Sequence, residues 1–348
     1  MEKREFADMA QPLRFALIGC GGMGARTHAP NFNEIPGCST VAYCDLDLEK
    51  AEAALERFGG EYATSDADRV FADDRIDGVL IQTGERAHPK LVKAAVAANK
   101  HVFCEKPLAV DLEQGVDVTR AVLEAEKRGI KFQFGTCNRY AHTVRLARKL
   151  LPNPAYSFCQ CTDTVSGQFC HNIDLAIHAF HTAPIATIYA HGGQFYELDP
   201  HLPVDSFTCI VTFDDGSSHT SIQHGKARNL SLKKYHFQLF GTDSCVYLAE
   251  RFKRCEYFVG EEHKGTWRFD GPDFLRGDLE YMGHKAELED LVRCIREGGR
   301  PELTIEGALR ILAVEKAVFE SIEQQAIIDF MEFWRERVGL EFGPEAAA

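Results

Sequence analysis

Three groupings of residues have the types and spacing that chemistry needs. The first is Glu105-Lys106-Pro107, a charged pair directly after the apolar stretch His101–Cys104. A lysine at the carboxyl end of a buried strand can hold a substrate hydroxyl and, with its proton affinity lowered, move protons. A surface ion pair closing the strand accounts for the same two residues equally well. Pro107 can fix the direction of the loop and is compatible with a cis bond before it. The second grouping is GCGGMG at 19–24, where Gly19, Gly21 and Gly24 fall at G-x-G-x-x-G spacing, with Gly22 and Met23 between. Such a turn lets a pyrophosphate approach the backbone at a helix N-terminus. The third is His171, Asp174, His178 and His181, at i, i+3, i+7 and i+10, on one helical face. Neutral imidazole there can accept a hydroxyl proton near pH 7. Cys159, Cys161 and Cys170 lie close by, and thiolate with imidazole suits zinc. No Cys-x-x-Cys pair is present and strand cysteines usually pack, so no metal is expected.

These residues need elements to hold them. The apolar run Phe15–Ile18 ends in the glycine turn, and a helix should follow to about Phe32. A second strand, Thr40–Cys44, ends in Asp45, about 20 residues after the glycines, where an acid binds ribose hydroxyls. A helix is expected over Leu46–Phe58, a strand over Asp77–Gln82, then Thr83-Gly84-Glu85 at its carboxyl end. His88-Pro89 opens a helix to about Asn99. The strand His101–Cys104, a helix over 111–128 and a strand at Ile130–Phe134 complete the alternation. Strands and helices in that order predict a parallel, doubly wound sheet.

The second half reads differently. A basic helix is expected at 141–151 and a strand at Tyr156–Thr162, with a loop at Val165-Ser166-Gly167. Val204–Phe213, Ser217–His224, Tyr235–Phe240 and Cys245–Leu248 form a meander, with a turn at Asp214-Asp215-Gly216. His224, Lys226 and Arg228 either reach substrate or end a solvated strand. Helices are expected at Glu280–Glu297, closed by Gly298-Gly299, at Thr304–Gln324 behind a threonine N-cap, and at Asp329–Val338. Residues 1–12 and the terminal GPEAAA read as flexible ends.

The chain has 348 residues, room for two domains, and 45% hydrophobic residues. Its formal net charge of −13, with no long basic run, argues against a nucleic-acid partner. There is no signal-peptide-like start and no transmembrane run, which points to a cytoplasmic protein without a membrane partner. Twelve cysteines are then expected to be reduced and mostly buried.

Taken together, GCGGMG at 19–24, Asp45, Thr83 with His88, HVFCEKPLA at 101–109, FGTCNRY at 134–140, HNIDLA at 171–176 and GG at 192–193 resemble the Gfo/Idh/MocA family. That family is named for glucose–fructose oxidoreductase, inositol dehydrogenase and a rhizopine-catabolism enzyme. The resemblance spans about residues 13–325. It implies a Rossmann domain over 13–136 and an α+β domain over 137–325. The second domain would carry a large, open, mostly antiparallel sheet and a long helix packing back on the first, followed by a helical tail over 326–348. It also implies an NAD- or NADP-dependent oxidoreductase of sugars or polyols, with Lys106 catalytic and Glu105, Thr83 and His88 near the cofactor. The sheet's outer face would join copies into a homodimer or homotetramer. Asp45 favours NAD, because a carboxylate repels the 2′-phosphate of NADP and Leu46-Asp47 supply no arginine.

One departure stands out. The family shows Asp-x-x-x-His before x-Ile-Asp. Aligning His-Asn-Ile-Asp makes His171 the catalytic histidine and puts Gly167 at the acid's position. Aligning Asp174 and His178 instead keeps the spacing but displaces the pair by two turns. The flanking residues favour His171. The leading expectation is hydride transfer from a sugar or polyol hydroxyl to NAD, with Lys106 and His171 handling the proton and Asp174 or His178 in support. The alternative is a lyase or hydrolase that recycles bound NAD within each turnover.

Overall fold

The computed structural model describes residues 12–162, 165–196, 203–225, 235–269 and 282–341. The leader up to residue 11, Lys226, Arg228, Glu280 and the terminal GPEAAA lie outside the described residues.

The first half is a six-stranded parallel sheet. Its strands are β1 (Leu13–Ile18), β2 (Cys38–Cys44), β3 (Tyr62–Thr64), β4 (Gly78–Ile81), β5 (His101–Glu105) and β6 (Phe132–Gly135). They lie in the order β3-β2-β1-β4-β5-β6. Continuous apolar runs make these strands. Ile18, Leu80 and Phe103 are buried because helices cover both faces. After β1 a π-helical turn, Gly24–His28, runs into α1 (Ala29–Asn33). Then come α2 (Leu48–Phe58), α3 (Ala67–Phe71), α4 (His88–Ala97) and α5 (Leu112–Glu126). The expected helix at Leu46 begins two residues later, with Asp47 extended at its N-cap. The order reverses between β1 and β4, so the carboxyl ends of these two strands splay apart and leave a crevice.

The second half holds a nine-stranded sheet in the order β14-β13-β12-β11-β7-β10-β9-β8-β15. After α6 (His142–Leu150) come β7 (Tyr156–Cys161), α7 (Val165–Asp174) and β8 (Ile185–Gly193). The meander is β9 (Ser206–Phe213), β10 (Ser218–His224), β11 (Tyr235–Phe240) and β12 (Ser244–Ala249). A hairpin of β13 (Arg254–Val259) and β14 (Glu262–Arg268) extends it. Then follow α8 (His284–Glu297), α9 (Ile305–Gln324), the two-residue β15 (Ile328–Asp329) and α10 (Phe330–Arg337). Among the described strands of this sheet only the β7–β10 pair is parallel. One face, with Cys159, Val211 and Phe237, is buried, and α7 and α9 pack against the sheet. The other exposes Tyr156, Tyr189 and Ile210. The loop expected at Val165-Ser166-Gly167 is instead the first turn of α7. Packing of its later residues against the sheet outweighs the poor helix propensity of Ser-Gly.

The histidine face breaks at its end. Past Asp174 the helix widens into a π-helical stretch, Leu175–Phe180, and His181 leaves it in extended conformation. The expected fourth member of the face therefore points elsewhere. Its ring stacks on Phe213 at 4.5 Å, and its nitrogens meet Ser157 Oγ at 2.8 Å and Ser217 Oγ at 2.9 Å. Ser157 Oγ also meets Nδ1 of the buried His219 at 2.8 Å. Burial lowers His181 from 6.5 to about 4 against the pull of Asp215. Burial, with His181 beside it, lowers His219 to about 3. Both rings are neutral in the fold, while the unfolded chain protonates them below about pH 6.5. The unfolded state thus binds more protons in this window. The stability that the neutral rings contribute is complete above pH 6.5 and is lost as pH falls towards 4. His181 alone withdraws on the order of 3 kcal/mol across that interval. Urea-unfolding free energies measured from pH 7 to pH 4 should fall, and His181→Asn should fall less steeply.

Candidate active site

The crevice at the β1–β4 switch is built first by backbone. Gly19 has φ +96°, and a Cβ there would lie 2.6 Å from the Gln82 carbonyl. A Cβ on Gly24 would lie 2.0 Å from the Gly19 oxygen, so the turn closes on β4 only with glycine at both positions. Gly21 differs, since nothing lies within 4 Å of where its Cβ would be. Its open side faces a cleft of about 890 Å³ lined by Gly19, Gly21, Asp45, Leu46, Gln82 and Thr83, among others.

Asp45 stands at the carboxyl end of β2. Its Oδ2 accepts the Cys20 N–H at 2.8 Å and its Oδ1 the Asp47 N–H at 3.0 Å. The carboxylate is thereby aimed along the cleft with lone pairs to spare. Gln82, at the end of β4 and outside every motif, has a buried side-chain amide with neither atom hydrogen-bonded among the described residues. An open glycine, an oriented acid and an orphaned amide in one cleft fit a dinucleotide. Gly19, Gly21, Asp45, Gln82 and Thr83 would hold it.

Two cross-links shape the loop carrying Lys106. His88 is fully buried, with Nδ1 2.7 Å from the Pro107 carbonyl and Nε2 3.1 Å from the Thr83 carbonyl. It ties the end of β4 to the loop after β5 rather than facing the cleft. The Lys106–Pro107 peptide is cis. Glu105 is also buried. It accepts from His28 Nε2 at 2.9 Å and from the Lys106 N–H at 3.0 Å. Burial alone would raise its carboxyl, but the His28 hydrogen bond and the fields of His28, Lys106 and His171 outweigh it and hold it at about 2. Lys106, at the mouth of β5, and the mostly buried His171, on α7, thus lie near one carboxylate.

Asp174 and His178 meet a further set of partners. Burial alone would raise Asp174, but its carboxyl is held far below the usual range by Arg139 and His178. Arg139 bonds both oxygens, its Nε at 3.1 Å, and Thr136 Oγ1 donates at 2.9 Å. His178 Nδ1 donates to Oδ1 at 3.2 Å. The His178 ring lies beside Gly307 of α9. Asp174 therefore anchors α7 to the 3-10 turn Cys137–Tyr140. Arg139, within FGTCNRY, is a residue whose role no sequence pattern announces. The local signal is an arginine four residues past the buried strand β6.

Among the described residues no three His, Cys, Asp or Glu side chains converge as a metal site requires. Cys159 and Cys161 are buried in β7, and burial pushes the Cys170 thiol up to about 12.

Arg139 is the expensive residue to lose. Arg139→Met would leave a buried carboxylate uncompensated and should lower stability by about 3–5 kcal/mol. Adding Asp174→Asn should recover part of that loss. Denaturant midpoints of both proteins check this.

Residues 13–134 match the family described as oxidoreductase family, NAD-binding Rossmann fold. Myo-inositol 2-dehydrogenase of Thermotoga maritima is 22% identical over 92% of this chain and 99% of its own length. Inositol 2-dehydrogenase of Arthrobacter sp. is 35% identical, over 38% of this chain and 39% of that one. Scyllo-inositol dehydrogenase of Lactobacillus casei, solved with NAD(H) and scyllo-inositol, superposes with a TM-score of 0.75 at 20% identity, covering 92% of this chain and 99% of that one. The glycine cleft lies within the span that matches this NAD-binding Rossmann model, and over nearly its full length the chain is similar to inositol dehydrogenases and shares their fold.

Proposed function

We propose that the protein oxidises a hydroxyl of a cyclic polyol, sugar or related derivative with NAD. The observation that carries this is the buried His88, which ties the loop bearing Lys106 to Thr83 on the wall of the cleft, with His171 near the same Glu105. The inositol dehydrogenases among its relatives support the substrate class. Residues 13–136 form the nucleotide domain in this reading, and 137–325 the substrate and oligomerisation domain, with 326–348 as tail. When bound, NAD supplies the hydride acceptor. The hydroxyl binds between Lys106 Nζ and His171, and one of them takes its proton as hydride leaves the carbon. Asp174 orients His178, which binds a neighbouring hydroxyl or steadies the base. The exposed sheet face around Tyr189 and Ile210 joins copies into a homodimer or homotetramer. No described helix is long and apolar enough to cross a membrane. The proposed setting is the cytoplasm, where the twelve cysteines would stay reduced.

A second reading rests on Gly167, which puts no carboxylate at that turn of α7. In it the enzyme is a lyase or hydrolase of a sugar derivative that recycles NAD. Nicotinamide absorbance with a panel of cyclic polyols and sugars separates the two. A rise that falls by 10²–10⁴-fold, an order-of-magnitude expectation for a lost acid–base group, in Lys106→Ala supports oxidation. No rise, with the sugar altered by mass analysis, supports recycling.

Cofactor choice is a separate test. The cleft is lined by Asp45, Asp66, Asp68 and Glu85 against Arg86 and Lys90. Asp45→Ser with Leu46→Arg should move the ratio of kcat/KM values towards NADP by at least about tenfold. An unchanged ratio would remove Asp45 from the role.

A further inference from the structure

Helix α8 brings one more carboxyl to this region. Glu287 is fully buried, and neither of its oxygens has a hydrogen-bond partner among the described residues. The helix packs on α1, on the π-helical turn at Gly24–His28, on β6 and on the 3-10 turn Cys137–Tyr140. One turn before Glu287, the His284 ring lies 5.9 Å from that of His28, the residue that donates to Glu105.

The charged groups around Glu287 are committed elsewhere. Glu105, from β5, holds His28 and the Lys106 N–H. Asp174, from α7, holds Arg139, Thr136 and His178. Tyr140 donates to Asp290 at 2.7 Å, and Lys285 of α8 pairs with Glu34 at 3.0 Å. Glu287 receives no donor from any of them. A buried carboxylate without donor or cation, near two others, is relieved by keeping its proton. Burial, reinforced by Glu105 and Asp174, pushes its carboxyl well above the usual range.

We propose that Glu287 is a positioning residue for the reaction, held as a neutral carboxylic acid behind Glu105, whose proton governs the charge beside Lys106. This rests on Lys106 being the proton-handling lysine. While Glu287 is neutral, the pair it forms with Glu105 carries a single negative charge, that of Glu105. When Glu287 loses its proton at alkaline pH, a second negative charge appears behind Glu105, and the activity that depends on this site changes with it. Glu105 and Glu287 form a pair of carboxyls whose surroundings push their proton affinities apart, the arrangement by which one acid stays ionised and its neighbour neutral.

The first test needs no turnover. Infrared difference spectra of the full-length protein against Glu287→Gln should show the carbonyl stretch of a protonated carboxylic acid in the native protein and not in the variant. A lost carboxylate band, or no difference, overturns the proposal. The second test is the pH profile of kcat/KM for polyol oxidation. Glu287→Gln should stay within about twofold of the native enzyme near neutrality and lack its alkaline inflection. An equal loss at every pH, or the same inflection in both proteins, overturns it. Glu287→Met guards against misfolding of the glutamine variant. A neutral acid without partners should be replaced by an apolar side chain of similar size with no fall in melting temperature, and a large fall counts against neutrality. If neither protein oxidises a polyol, the functional reading fails and the infrared spectrum still decides Glu287.

Discussion

A carboxylate removed from water must be compensated, and Glu105 decides where several elements meet. Its compensation comes from His28, 77 residues earlier in the chain, from its own neighbour's N–H, and from the fields of Lys106 and His171. These groups belong to the first helical turn, to the loop after β5 and to α7. Each must converge on one point at the carboxyl end of the parallel sheet, or Glu105 carries an unpaid desolvation penalty of several kcal/mol. The constraint therefore binds the two halves of the chain together at the place where Lys106 emerges. Asp174 repeats the device a short way off, with Arg139 35 residues away as its partner.

What was legible in the sequence was what local pattern encodes. The glycine turn, Asp45 and the EKP loop sit where the spacing put them, because turn geometry and strand ends are set by a few adjacent residues. The meander and its Asp-Asp-Gly turn were equally local. Short elements escaped. β3 and α3 have three and five residues, too few for periodicity to register. β8 and the β13–β14 hairpin, rich in Gly, His and charge, gave no clean alternation. The ion pairs that bind the site also escaped, since no local pattern links His28 to Glu105 or Arg139 to Asp174.

The histidine face failed for a further reason. Spacing of i, i+3, i+7 and i+10 defines one face only while the helix keeps 3.6 residues per turn. Here the helix widens past Asp174, and His181 turns into the sheet as a neutral, hydrogen-bonded core residue. Burial pushed the same residue type to opposite uses within ten residues. His171 lies near Glu105 and Lys106, while His181 is locked between two serines.

The charge of the chain follows the same division. A protein of net charge −13 binds an anionic pyrophosphate only if the potential at that spot differs from the average. The glycine turn supplies it from backbone N–H groups, which carry no net charge and need no titratable partner. The N–H of Cys20, from the same turn, also holds Asp45 in place. In the proposed function, cofactor recognition is written into main-chain geometry at the β1–β4 switch, and proton handling into side chains on the β5 loop and α7. Because the two would use different atoms on different elements, a change on α7 such as glycine at 167 would alter the groups offered to a substrate and leave the dinucleotide cleft intact. One scaffold can in this way keep its cofactor while the reaction performed beside it changes.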